Sequence, residues 1–171
     1  MRYNGGGFVD QVIFERLRRV LGGMESARNW EPNTIPDRVF HGYMVCVTNH
    51  YAASDGDFFS YFFKQYKLGP LIGERTWGGV RGIRGEMPLM DGGYITRPEF
   101  SLYGLDSKWL VENRGVQPDV VVDNPPDLVV KGQDPQLEKA VEILMEQIKA
   151  NPNKLPAAPP DLPAYPAGPG I

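Results

Sequence analysis

The stretch "GYMVCVTNHYAASDGDFFSYFF" (42–63) joins a short apolar run to an aromatic segment through a turn of small residues. Residues 43–48 are continuously apolar, as in a strand buried on both faces. Phe58, Phe59, Phe62 and Phe63 recur at helical spacing, which predicts a helix over about 54–67 that Gly69-Pro70 stops. Ser54 stands at the junction and is followed by Asp55, Gly56 and Asp57. Two readings fit it. As an N-cap, Ser54 would be matched by an acidic residue at the third helical position. As a nucleophile, it would sit at the positive helix end, where unpaired N–H groups suit an oxyanion. Taken alone, the stretch favours the cap, and it lacks the Gly-x-Ser-x-Gly elbow of α/β-hydrolases.

Outward from this junction, strand-like and helix-like segments alternate. Residues 8–21 predict a helix with Phe8, Val9, Val12, Ile13, Leu17, Val20 and Leu21 on its apolar stripe, ended by Gly22-Gly23. Residues 24–42 carry Pro32 and Pro36 and read as a long connection. Residues 70–74 form the next short strand. Pieces around 80–84, 87–90 and 94–97 predict hairpins, with Asp91-Gly92-Gly93 as one turn. Residues 115–122 turn into a β-branched strand. Asp134-Pro135 opens the last helix, with Leu137, Ala140, Val141, Leu144 and Ile148 on its apolar face. The class is therefore α/β. Residues 151–171 are rich in Pro and Ala and predict a poorly ordered tail. Little run-in precedes Gly5-Gly6-Gly7, so the chain reads as the C-terminal piece of a longer protein.

Composition narrows the function. The chain has 171 residues and 42% hydrophobic content, enough for one core, and a net charge of −3. No broad basic face recruits nucleic acid or anionic membrane, and no run reaches the length of a membrane span. Cys46 is the only cysteine and lies in an apolar run, so it reads as a buried small hydrophobe. A reducing, cytoplasmic compartment fits that usage. His41 and His50 read as surface or structural groups. No cluster has metal-ligand spacing, so neither metal nor cofactor is expected. The glycine triple reads by default as a backbone turn, and it lacks the pattern of a P-loop. Glu112, beside Asn113 and Arg114, reads alone as an exposed glutamate or half of an ion pair with Arg114. Trp77 and Trp109 read as core residues.

Five stretches, "RYNGGG", "GYMVCVTNHYAASDGDFFSYFF", "LGPLIGERTWGGVRGI", "WLVENRGVQPDVVV" and "GQDPQLEKAVEIL", occur in an order that resembles the catalytic domain of the tricorn family of serine peptidases. That family is related to the C-terminal processing proteases. The resemblance spans about residues 2–148 and implies a peptidase catalytic core over 1–150. It implies Ser54 as nucleophile, the backbone N–H groups of Asp55 and Gly7 as oxyanion hole, and Glu112 as support for a catalytic histidine. The processing proteases place a lysine where this chain has Gly79, so only the Ser–His–Glu arrangement is permitted. Neither His41 nor His50 corresponds to the family histidine, which implies that these residues alone are nearly inactive. The resemblance further implies a ClpP/crotonase-like spiral, incomplete at the N-terminus, acting on peptides or unfolded segments. A homo-oligomer, joined to upstream domains of the same protein, is implied with it. Two other readings are a non-catalytic remnant that binds peptide or a partner chain, and a crotonase-fold enzyme acting on acyl thioesters.

Overall fold

The computed structural model describes residues 1–27 and 29–160. Helix α1 (Asp10–Leu17) precedes a small antiparallel pair, β1 (Gly23–Glu25) and β2 (Asn33–Ile35). Strand β3 (Cys46–Thr48), helix α2 (Asp55–Gln65) and strand β4 (Leu71–Gly73) then form a parallel β-α-β unit. An antiparallel hairpin follows, made of β5 (Gly82–Pro88) and β6 (Tyr94–Phe100). Strand β7 (Val120–Val121) joins β4 in parallel, and helices α3 (Pro126–Val129) and α4 (Pro135–Ala150) complete the described elements.

The parallel sheet, ordered β3-β4-β7, is the scaffold. Its middle strand is buried throughout, because α2 and α4 both pack against the sheet. Cys46 and Leu71 from the sheet meet Phe58, Phe59 and Phe63 from α2 in one core. Helix α1 closes the other side of α2. Phe14 stacks on Phe59 with ring centroids 4.7 Å apart and meets Phe62 edge-on at 6.4 Å. The alternation expected of an α/β chain is present, as are the strand at Cys46, the aromatic helix and the buried cysteine. Burial pushes the Cys46 thiol up to about 11, which makes it inert at neutral pH.

Several local expectations fail for identifiable reasons. Helix α1 is shorter than 8–21, and its buried side carries Asp10 and Phe14. Phe8, Val9, Val12 and Val20 are exposed, while Ile13 and Leu17 of the same expected stripe pack partly buried against the core. Residues 24–42 hold the β1–β2 pair, whose short strands lack any hydrophobic alternation to reveal them. The pieces between 80 and 97 are one hairpin, with bulges near Gly82 and Ile83 that broke its sequence pattern. Helix α4 buries Gln136 and Ala140, while Leu137, Val141 and Ile148 lie exposed. Trp77 and Trp109 are more than 60% exposed and are not core residues. Residues 151–160 contain no helix or strand, and the remainder of the expected tail, 161–171, lies outside the described residues.

Candidate active site

The carboxyl ends of β3 and β4 deliver the two loops that frame Ser54, the usual place for a site on a parallel sheet. Beyond the strands these loops continue to pair: Trp77 N–H donates to the Ala52 carbonyl at 2.9 Å, and Ser54 N–H donates to the Gly79 carbonyl at 3.1 Å. The start of the chain runs along the other side of β3. Arg2 N–H reaches the Val47 carbonyl, and Ala53 N–H reaches the Asn4 carbonyl at 2.8 Å. The glycine turn therefore lies directly over the serine. A side chain at Gly6 would press on Ser54 Cβ at 3.3 Å, which only glycine avoids.

Ser54 occupies the N-cap position of α2 in an unusual backbone conformation. Its φ of 51° and ψ of −110° lie in a sparsely populated region. A capping box joins it to Asp57: the Ser54 side chain faces Asp57 N–H, and Ser54 N–H donates to Asp57 Oδ2 at 3.0 Å. A residue held in such a backbone state costs on the order of 1–3 kcal/mol and persists only where its surroundings enforce it.

Those surroundings are two buried carboxylates. Asp57 accepts Gly78 N–H at 2.9 Å and Gly79 N–H at 3.2 Å as well as Ser54 N–H. It thus ties the serine's backbone to the loop after β4. Asp55 accepts Asn4 Nδ2 at 2.9 Å and Asp10 N–H at 3.1 Å, which ties the helix start to the glycine turn. Burial raises the Asp57 carboxyl above the usual carboxylate range, against the lowering by Thr76 and the three amides. Burial likewise raises Asp10, and its neighbour Asp55 adds to the effect. The sequence pattern read Asp57 as a helix cap alone; the glycine pair at 78–79, with room for close backbone approach, was the available signal for its second task.

Glu112 reaches the site from a third loop. Its Oε2 accepts Val80 N–H at 2.8 Å and Arg81 N–H at 3.0 Å, and Arg81 Nε lies 3.9 Å from Oε1. The expected pairing with Arg114 is not made: Arg114 donates its N–H to the Val111 carbonyl, and its own carbonyl accepts Arg75. Val111, just before Glu112, has a φ of 66°, and Glu112 N–H returns to the Leu110 carbonyl at 2.6 Å. A buried β-branched residue in that three-residue turn is strained, and the strain aims Glu112 back across the loop.

Ser54, Gly7 and Glu112 line one cleft of about 430 Å³, together with Trp77, Arg81 and Phe100. Gly6 N–H is taken by Asn4 Oδ1 at 3.0 Å, whereas the N–H groups of Gly7 and Asp55 have no acceptor among the described residues. Neither histidine lines the cleft. His50 is exposed, sits 3.2 Å from Glu74 and packs on Tyr51. At Gly79 an added Cβ would run into the Trp77 ring, so a lysine there would require that ring to move. Among the described residues no group of His, Cys, Asp and Glu could hold a metal ion.

Residues 1–122 match the family described as Peptidase family S41. The chain belongs to that family. It is 44% identical over 156 residues to a protein named tricorn protease from Thermoplasma volcanium, a match covering 91% of this chain and 15% of that protein. A tricorn protease homolog from Saccharolobus solfataricus is 45% identical over 148 residues, covering 86% and 14%. The crystal structure of the tricorn protease superposes with a TM-score of 0.82 at 43% identity, over 87% of this chain and 15% of that one. A structure from Parabacteroides merdae, with a TM-score of 0.60 and 20% identity, covers 85% and 50% and shares the fold alone. This S41 chain therefore spans about 15% of the length of its tricorn relatives.

Proposed function

We propose that this S41 chain carries the nucleophile of a serine peptidase that cleaves peptides or unfolded segments by acyl transfer. Ser54 Oγ attacks the scissile carbonyl, and its proton passes to a histidine that neither His41 nor His50 supplies. The N–H groups of Asp55 and Gly7 receive the oxyanion of the tetrahedral intermediate, which collapses with cleavage of the C–N bond as the histidine passes its proton to the leaving amine, and water then hydrolyses the acyl-enzyme. Glu112 orients the base through an intervening hydrogen-bonding group. The single observation that carries this reading is the backbone of Ser54, φ 51° and ψ −110°, at the helix start beside a Gly7 N–H that has no acceptor among the described residues. The same reading extends to a peptidase core over residues 1–150, a ClpP/crotonase-like spiral, and a cytoplasmic homo-oligomer joined to further domains.

The test is a fluorophosphonate probe applied to the 171-residue chain alone, then with the histidine-bearing region of the whole protein present. Mass spectrometry is expected to find the adduct on Ser54, strongly enhanced by the added region and abolished in Ser54→Ala. If Ser54 stays unlabelled in the whole protein, the nucleophile assignment fails and the non-catalytic reading takes its place.

A further inference from the structure

Ser54 and Glu112 stand on separate loops, and one buried side chain lies between the groups that hold them. Asp57 fixes the Ser54 backbone by accepting its N–H, and residues 111–116 carry Glu112. The segment after β4, residues 75–79, passes between the two. Its Gly78 and Gly79 N–H groups go to Asp57 on one side. On the other side the Gly78 carbonyl accepts Asn113 N–H at 2.7 Å. The two backbones run so close that a Cβ at Gly78 or at Gly115 would strike the opposite chain.

Thr76 is the centre of this crossing and is fully buried. Its N–H donates to the Val116 carbonyl at 3.1 Å, and its Oγ1 accepts Val116 N–H at 2.7 Å. The Thr76 carbonyl accepts Arg75 Nη1 at 2.9 Å, and the same nitrogen reaches the Trp77 and Arg114 carbonyls at 3.2 and 3.0 Å. A hydroxyl has one hydrogen besides its two lone pairs, so with Val116 N–H on its oxygen the hydrogen is left for Asp57. Burial raises the Asp57 carboxyl, and Thr76 leads the groups that work against it. One side chain thus serves both loops, as acceptor for the Glu112 segment and donor to the carboxyl that holds Ser54. A valine of the same shape would fill the space and do neither.

We propose that Thr76 is a positioning residue, whose hydroxyl sets the distance between Ser54 and Glu112 by joining Asp57 to Val116. The inference rests on the reading of Ser54 as nucleophile and Glu112 as support for the base. Reacting groups must be held to within about 0.5 Å of their working geometry, and a displacement of about 1 Å can cost about a hundredfold. Thr76 does not line the Ser54 cleft, so its loss acts on the reacting groups and not on the binding of peptide.

Thr76→Val and Thr76→Ser are made in the whole protein, and Ser54 labelling by a fluorophosphonate is resolved into a maximal rate and a half-saturating concentration. Thr76→Val is expected to lower the maximal rate at least about tenfold and to move the half-saturating concentration less than about twofold. Thr76→Ser, which keeps the hydroxyl, should restore most of that rate. Where urea unfolding shows that Thr76→Val does not fold, Thr76→Cys, whose thiol bonds only weakly, replaces it with the same expected direction. The decisive arm adds Glu112→Gln. A link that acts through Glu112 predicts a further loss below about threefold in the double variant, whereas a general loosening of the fold multiplies the two losses. A rate unchanged by Thr76→Val, no recovery in Thr76→Ser, or losses that multiply overturns the positioning role alone. Ser54 unlabelled in the unmodified whole protein overturns the nucleophile reading, and the positioning role falls with it.

Discussion

At the scale of single residues, Asp57 holds the candidate site together. It is fully buried and is the acceptor for three backbone N–H groups from two loops. Asp57→Ala would leave Gly78 and Gly79 N–H without that acceptor, while Ser54 N–H keeps the Gly79 carbonyl. Each buried amide left unpaired costs about 1–3 kcal/mol, and removing a carboxylate that resists ionisation offsets part of that. The expected net loss is at least about 2 kcal/mol in urea unfolding, with weaker labelling of Ser54. A loss below about 0.5 kcal/mol would contradict the role, since that is the scale of an unimportant surface change. The sign of the pH dependence follows from the raised carboxyl. A carboxylate whose folded value lies above its unfolded one stabilises most below the ordinary range and loses that contribution as pH rises through the folded value. Asp10 acts in the same direction.

Among the elements, α4 shows the opposite linkage. Asp134 caps it by accepting Leu137 N–H at 2.9 Å, and it also pairs with Arg2 at 2.7 Å. Burial works against ionisation of Asp134, but Asn124, Leu137 N–H and Arg2 together hold its carboxyl below the usual range. Its stabilisation is present above the ordinary carboxylate value and is lost as pH falls through the lowered folded one. Asp134→Asn keeps a capping oxygen and loses the ion pair, so it should cost about 0.5–1 kcal/mol at neutral pH. Thermal melts of both proteins from pH 7 to 2 should converge at the acid end; a constant gap would rule the linkage out. The hairpin differs from both helices. Apart from Gly82, every residue of β5 and β6 is exposed, so the two strands rest on each other and on little else.

Across the whole molecule, the candidate site depends on segments far apart in sequence being brought together by the sheet. Asn4 makes that dependence testable. Its amide donates to Asp55 Oδ2 and its oxygen accepts Gly6 N–H, so it joins the glycine turn to the start of α2. Asn4→Ala should cost about 1–3 kcal/mol and lower the rate of Ser54 labelling by releasing Gly7 from its place over the serine. An unchanged melting temperature and labelling rate would count against the coupling. The α/β class, the strand at Cys46 and the aromatic helix were legible in the sequence, and the family resemblance pointed to Ser54, Gly7 and Glu112, which the structure brings to one cleft. Burial on both faces, helical spacing and turn chemistry act locally and leave local marks, and the ordered motifs carried the rest. The buried faces of α1 and α4 were legible only in part: Ile13, Leu17 and Ala140 of the expected stripes pack inward while Val12, Leu137 and Val141 do not, because spacing shows that a stripe exists but not how much of it finds a partner. The second task of Asp57 was not legible, nor was the union of Glu112 with Val80 and Arg81. Those are contacts between loops, decided only when the parallel sheet sets three chain segments side by side and their buried N–H groups must each find an acceptor.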